Sequence, residues 1–230
     1  YEIRLSLVGS EMCIRDSIAF NTEAERQLCR SVFGRFLAPN SIVGCGIEMA
    51  PEAEWSGVKA KYKLPDEYVL YLGRVSKAKV DKLLPYFLRC KAKYGGDAKL
   101  VLVGGFENEI RKFDSPDILF TGYVSDEEKT AIVRHATVMV NPSPMESLSL
   151  LMLEGMQSRI PLLVNGRSKV MKDHGRLSGA GLWYNNGRDF RKKLHRLLSD
   201  PELRRTMSEK GPAYVREHYD CCLLYTSPSP

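Results

Sequence analysis

The sequence predicts an α/β fold: a doubly wound parallel sheet with helices on both faces. Three observations predict it. Short apolar runs of strand length alternate with amphipathic stretches of helix length, an order that gives βα units and a sheet covered on both sides. The strands read as continuous apolar runs, Tyr68-Val69-Leu70-Tyr71-Leu72 the clearest among them; such runs belong to strands buried on both faces. A glycine then follows three of them, at Gly73, Gly104 and Gly122. In such sheets ligands bind beyond the carboxyl ends of the strands, where these loops gather.

Taken in order, Ile18-Ala19-Phe20 reads as the end of a strand. Thr22-Glu23-Ala24-Glu25 has the pattern of a capping box and opens a helix to about Phe33, with Gly34 as its stop. Ile42-Val43 is a short strand, and Pro51 to Lys63 a loop with a short helix. After the strand at Tyr68–Leu72, Lys79 to Tyr94 is predicted as one amphipathic helix with Leu83, Leu84, Phe87 and Leu88 on one face and Pro85 in its first turns. Lys99 to Val103 is a strand, Glu107 to Phe113 a short helix, and Ile118-Leu119-Phe120 a strand running into Thr121-Gly122-Tyr123. Ser125-Asp126-Glu127-Glu128 is a second capping box, its helix reaching His135. Pro161 to Val164 and Gly181-Leu182-Trp183-Tyr184 are strands around a helix from Arg167 to about His174. Two polar helices, about Arg188–Leu198 and Pro201–Glu217, complete the pattern. His135 and His174 are both read as helix ends, where the imidazole complements the dipole, and Trp183 and Tyr184 as core.

The stretch from Asn141 to Glu154 organises the rest. Pro142 and Pro144 break the strand Val138-Met139-Val140, and the pattern then turns helical. Glu146 and Glu154 stand eight positions apart with mostly apolar or small residues between them. A helix that is apolar most of the way round is normally buried, and ionised carboxylates at its ends are costly without partners. Eight helical positions put both carboxylates roughly on one side, about 12 Å apart. That span suits an elongated ligand with hydroxyls at its ends and anionic charge in the middle, facing the helix N-terminus. An ordinary solvated pair of glutamates is the plain alternative.

The chain has 230 residues, 43 % of them apolar, and a net charge of +6. No apolar run approaches the roughly 20 residues of a membrane span. The basic residues are scattered, without an RNA-binding aromatic motif or zinc-finger spacing, so a nucleic-acid partner is not expected. Cys29, Cys45 and Cys90 lie far apart without a CxxC, a reduced-thiol pattern. Both ends read as something other than protein. Cys222–Pro230 back-translates to a sequence resembling a transposase mosaic-end sequencing adapter. Leu7–Ser17 translates its reverse complement, and Tyr1-Glu2-Ile3 fits the outer adapter. Residues 1–17 and 221–230 are therefore expected to be adapter-derived tails, and about Ile18–Asp220 the genuine protein of a library fragment.

Gly73-Arg74 with Lys79, then Thr121-Gly122-Tyr123-Val124, then Glu146 to Glu154 occur in one order. Together they resemble the donor-binding, C-terminal domain of family-four retaining glycosyltransferases, which have the GT-B fold. The resemblance implies that Arg74 and Lys79 clamp the diphosphate leaving group. Glu146 would contact the donor sugar's hydroxyls and Glu154 the ribose. Backbone N–H groups of Ser147, Leu148, Ser149 and Leu150 would meet phosphate, and Thr121, Gly122, Tyr123 and Val124 would border the base. Gly46 resembles the glycine of the interdomain loop. Two departures stand out: Val80 follows the lysine where the family usually has Gly or Asn, in a loop about one residue short, and Ser149 stands where many members have Gly. No DxD occurs, and the resemblance implies a metal-free site with no cofactor beyond a nucleoside-diphosphate sugar as donor.

The resemblance divides the chain into 18–50, a remnant of the acceptor domain plus linker, and 51–220, the nucleotide-sugar domain. It implies a truncated hexosyltransferase, inactive alone. The acceptor would be a glycan or a lipid-linked molecule held by the missing N-terminal domain, in the cytoplasm or at the inner face of the membrane with peripheral association of the parent enzyme. Two alternatives remain: a nucleotide-sugar epimerase of related fold, which needs acid/base carboxylates and a histidine in the cleft, and a non-catalytic nucleotide-sugar binding module.

Overall fold

The structure is a computed structural model, and it describes residues 18–35, 39–43, 45–107 and 115–219. Both expected tails, Gly44 and nearly all of the expected helix from Glu107 to Phe113 lie outside the described residues.

Six parallel strands form the main sheet: β3 (Tyr68–Leu72), β4 (Lys99–Val103), β5 (Ile118–Gly122), β6 (Val138–Asn141), β7 (Leu162–Asn165) and β8 (Gly181–Tyr184). Their order across the sheet is β5-β4-β3-β6-β7-β8, the doubly wound arrangement that the sequence predicts. Alternate residues of each strand enter opposite cores, as a period of two requires. Tyr68, Leu70 and Leu72 join one cluster, with Val101 and Val103 from β4. Val69 and Tyr71 join the other, with Leu100 and Leu102. The first cluster is covered by α2 (Trp55–Tyr62), α5 (Asp126–Arg134), α6 (Leu150–Gln157), α7 (Lys169–Ser178) and α9 (Pro201–Tyr219). The second is covered by α3 (Lys77–Val80), α4 (Leu83–Tyr94) and α8 (Gly187–Ser199). A separate two-stranded parallel sheet pairs β1 (Ile18–Phe20) with β2 (Asn40–Ile42), flanking α1 (Glu23–Phe33).

Local chemistry explains the helix starts. Ser125 and Glu128 form the reciprocal capping box that the sequence predicts. At α1 the box is shifted: Thr22 caps the Glu25 N–H, but the Glu25 carboxylate accepts from Asn21 rather than from Thr22. The single helix expected from Lys79 to Tyr94 is two pieces. Pro85 lacks an N–H, and its ring would meet the carbonyl of residue 81 in a continuous helix; restarting at Leu83 leaves Pro85 in a first turn, where it is tolerated. His135 does cap α5. His174 does not end α7, which runs on to Ser178.

Candidate active site

The chain adds β4 and β5 on one side of β3, then returns to place β6 on the other. Loops leaving β3 and β6 therefore part in opposite directions, which opens a crevice beyond their carboxyl ends. A cleft of about 400 Å³ lies there. Gly73, Arg74, Lys79, Glu146 and Ser147 to Leu150 line it, so the structure brings these predicted residues together. Asn21, Cys45, Tyr71 and Asn141 line it as well, and nothing in their residue types announced them.

The Arg74 wall is held by close backbone contact. Gly73, Gly104 and Gly122 all have positive φ, of 128°, 130° and 76°. The Gly73 N–H donates to the Val103 carbonyl at 3.0 Å, and the Gly104 N–H to the Gly122 carbonyl at 2.9 Å. A Cβ on Gly104 would stand 2.3 Å from the Gly73 carbonyl oxygen. Three strand ends thus interlock through glycines. The Tyr71 hydroxyl donates to the Arg74 carbonyl at 2.9 Å; burial, and then the charge of Glu146, push that hydroxyl's pKa up to about 12, so it stays a donor. The Arg74 side chain is exposed and makes no ion pair among the described residues. Lys79 Nζ lies 3.8 Å from Glu146 Oε1.

Glu146 sits differently from expectation. The helix does not run between the two glutamates: α6 begins only at Leu150, so Glu146 is in the loop before it and Glu154 lies inside it. The helical spacing of about 12 Å therefore does not apply. Ser149 is the reason, since it adopts a left-handed conformation with φ 66°, which a right-handed helix cannot continue through. Asn141 clamps the loop at both ends: its Oδ1 accepts from the Ser143 N–H and its Nδ2 donates to the Ser149 hydroxyl, each at 3.0 Å. The N–H groups of Ser147, Leu148, Ser149 and Leu150 find no protein acceptor among the described residues. Together with Arg74 and Lys79 they make a donor-rich pocket, able to hold an anion.

The remaining predicted residues lie outside this cleft. Glu154 is largely buried at 13 % side-chain exposure; its Oε1 pairs with Lys129 Nζ at 3.2 Å, and its Oε2 is enclosed without a partner. Burial works against the Lys129 charge, but Glu154 and then Asp126 outweigh it and hold the ammonium above its ordinary pKa. Sequence reasoning missed Lys129, and a lysine on another helix 25 positions away carried no signal. Thr121 donates to the Gly122 carbonyl at 3.0 Å, Tyr123 is 86 % exposed, and Val124 packs on the core beside them. Gly46 is half-buried, one residue after Cys45 of the cleft wall. His174 is buried, with Nδ1 2.9 Å from the Tyr214 hydroxyl and Nε2 unpartnered.

Residues 57–214 match the family described as "Glycosyl transferases group 1". The chain belongs to that family. It is 30 % identical over 174 residues to an alpha-D-kanosaminyltransferase of Streptomyces kanamyceticus, a match covering 70 % of this chain and 44 % of that protein. Among solved structures, a glycosyltransferase from Rickettsia africae superposes with a TM-score of 0.78 at 15 % identity, over 97 % of this chain and 65 % of the other. HepE of Anabaena, in complex with UDP, superposes at 0.75 and 12 % identity, over 91 % of this chain and 61 % of the other. These likenesses establish a Rossmann-like glycosyltransferase domain of the GT-B kind. The chain spans less than half the length of the curated relatives it matches.

Proposed function

We propose that this glycosyltransferase domain binds a nucleoside-diphosphate sugar and presents it for hexosyl transfer, with retention, to a glycan or lipid-linked acceptor. The observation that carries the reading is the convergence of Arg74, Lys79, Glu146 and four unpaired backbone N–H groups on one cleft at the sheet's switch point. Charge builds on the departing diphosphate as the sugar–oxygen bond breaks. Fixed cations and amide dipoles there lower the barrier, and in this reading they do the work for which other enzymes use a metal. Glu146 accepts from the sugar's hydroxyls. The Oε2 of Glu154 is enclosed and unpartnered, so in this reading the side chain turns outward to accept from a ribose hydroxyl, and Thr121 to Val124 border the base. That the HepE structure holds UDP supports a nucleoside diphosphate here too.

In this reading 51–220 is the donor-binding domain, 18–50 belongs with an acceptor domain and linker, and the acceptor is held by the N-terminal domain of a longer parent enzyme working in the cytoplasm, at the inner membrane face when its acceptor is lipid-linked. Among the described residues no helix is long and apolar enough to cross a membrane. The chain alone binds donor weakly and transfers nothing, because water reaches the phosphates and no second wall positions an acceptor. The epimerase alternative asks for a histidine in the cleft, and none lines it among the described residues.

Calorimetry with UDP and with UDP-hexoses tests the assignment. Glu154→Ala weakens both. Glu146→Ala weakens only the sugar-bearing ligand. Equal losses for the two ligands in Glu146→Ala reject its role, and no binding by any nucleoside diphosphate or its sugar rejects the donor-domain reading.

A further inference from the structure

A second cavity, of about 580 Å³, opens beyond the carboxyl ends of β6, β7 and β8, on the far side of Lys79 from the Arg74 cleft. Its charge is one-sided. Lys77, Lys79, Lys82 and Arg167 line it against a single carboxylate, Asp81. Lys77, Lys82 and Arg167 make no ion pair among the described residues. Lys79 already faces Glu146, but the three unpaired cations facing one anion repel each other, and a ligand that supplies compact negative charge relieves that repulsion.

A buried residue at the same wall points to a ligand independently. Tyr184 ends β8 and is only 4 % exposed, its ring edge-on to Phe190 and to Tyr86. Its hydroxyl has no hydrogen-bond partner among the described residues and is not one of the fully enclosed unpartnered atoms, and the residue lines this cavity. Burial, and then the neighbouring Tyr86, raise its pKa; it remains a neutral O–H, a donor suited to an anionic oxygen. The carboxamides of Asn185 and Asn186 and the Tyr86 ring complete a wall suited to a hydroxylated body.

We infer that this cavity is a second subsite, which takes a phosphate monoester carried on a sugar or polyol, its phosphate held by Lys77, Lys82 and Arg167 and by the Tyr184 hydroxyl. This goes beyond the donor reading and does not depend on it. Because Lys79 borders both cavities, a phosphate here lies within the field of the donor cleft, where an acceptor's phosphate or a free sugar phosphate acting as effector would sit equally well.

The test titrates the whole chain, by calorimetry, with glucose 6-phosphate, inorganic phosphate, glucose and UDP. The expected result is binding of glucose 6-phosphate and not of glucose. Lys82→Ala/Arg167→Ala weakens that binding by about tenfold or more, and Tyr184→Phe by about threefold or more. UDP binding by both variants, which leave the Arg74 cleft intact, reports that they are folded. Equal affinity of native chain and double variant for glucose 6-phosphate overturns the proposal, as does glucose binding as tightly as its phosphate, or no phosphate binding by the native chain at millimolar concentration. Binding of inorganic phosphate alone, without gain from the sugar body, overturns the hydroxylated-ligand part. Loss of UDP binding by the native chain fails the donor reading and leaves these arms to be read separately.

Discussion

Replacing Gly104 by alanine would strike at the joint that holds Arg74 in place. The added Cβ would lie 2.3 Å from the Gly73 carbonyl oxygen and 2.9 Å from its carbon, both backbone atoms that no side-chain rotation can move aside. Alanine must also take up a φ of 130°, a conformation that costs roughly 1–3 kcal/mol for a residue with a Cβ. Relieving the overlap by shifting backbone costs about 1–3 kcal/mol more. The sum, roughly 2–6 kcal/mol, is a large part of the 5–15 kcal/mol typical of a domain. Gly95→Ala separates the two contributions: Gly95 has φ 69° but nothing within 4 Å of an added Cβ, so only conformational strain of about 1–2 kcal/mol applies. Urea unfolding followed by circular dichroism gives both midpoints. Gly104→Ala should fall well below Gly95→Ala, and at temperatures where it stays folded it should bind UDP more weakly, because the Gly73–Arg74 turn has been displaced. Equal midpoints for the two variants would refute the interlock.

His174 makes stability depend on pH. Burial lowers its pKa from 6.5 to about 4, so as pH falls the unfolded chain takes up the proton first. Stability is whole above pH 6.5 and declines from there to about pH 4, by about 3 kcal/mol; urea midpoints across that range should flatten in His174→Gln. Lys129→Met leaves the Glu154 carboxylate enclosed without its cation, and a thermal melt should report a loss of about 1–3 kcal/mol. At Ser149, with φ 66°, glycine relieves strain while giving up the bond from Asn141, so Ser149→Gly should melt within about 1 kcal/mol of the native chain. Ser149→Val adds β-branching to a left-handed residue and should cost about 2 kcal/mol or more; a Val variant melting like the Gly one would contradict that strain.

What could be read from the sequence followed burial. β3 and β8 match the apolar runs at Tyr68–Leu72 and Gly181–Tyr184 residue for residue, because a strand buried on both faces leaves a continuous signature with sharp ends. Where backbone conformation decides, the pattern is silent. Apolar periodicity runs through Leu148 to Met152, and nothing in it shows that Ser149 turns left-handed and delays α6 to Leu150. The helix expected to end near His174 runs on to Ser178; Gly175 lies inside α7, where a Cβ would stand 3.2 Å from the Gly181 carbonyl oxygen, so glycine there serves close packing on β8. The candidate residues on the two loops beside the switch point were legible as neighbours in one cleft because motif order located them. Tyr71, Asn141 and Lys129 were not, since each acts through a partner that only the folded chain brings near.

The contact between Lys79 and Glu146 makes occupation of the cleft an exchange rather than an addition. Before any ligand arrives, the lysine already has a carboxylate for company, so the pocket is nearer to electrical neutrality than its cations suggest. An anion that recruits Lys79 must outbid that carboxylate, and in doing so it sets Glu146 loose. The salt dependence of anion binding should therefore be shallower than one full charge at Lys79 would give. Under the proposed donor reading, the ligand's negative end and its hydroxyl end would be felt in sequence: the first frees the group that greets the second.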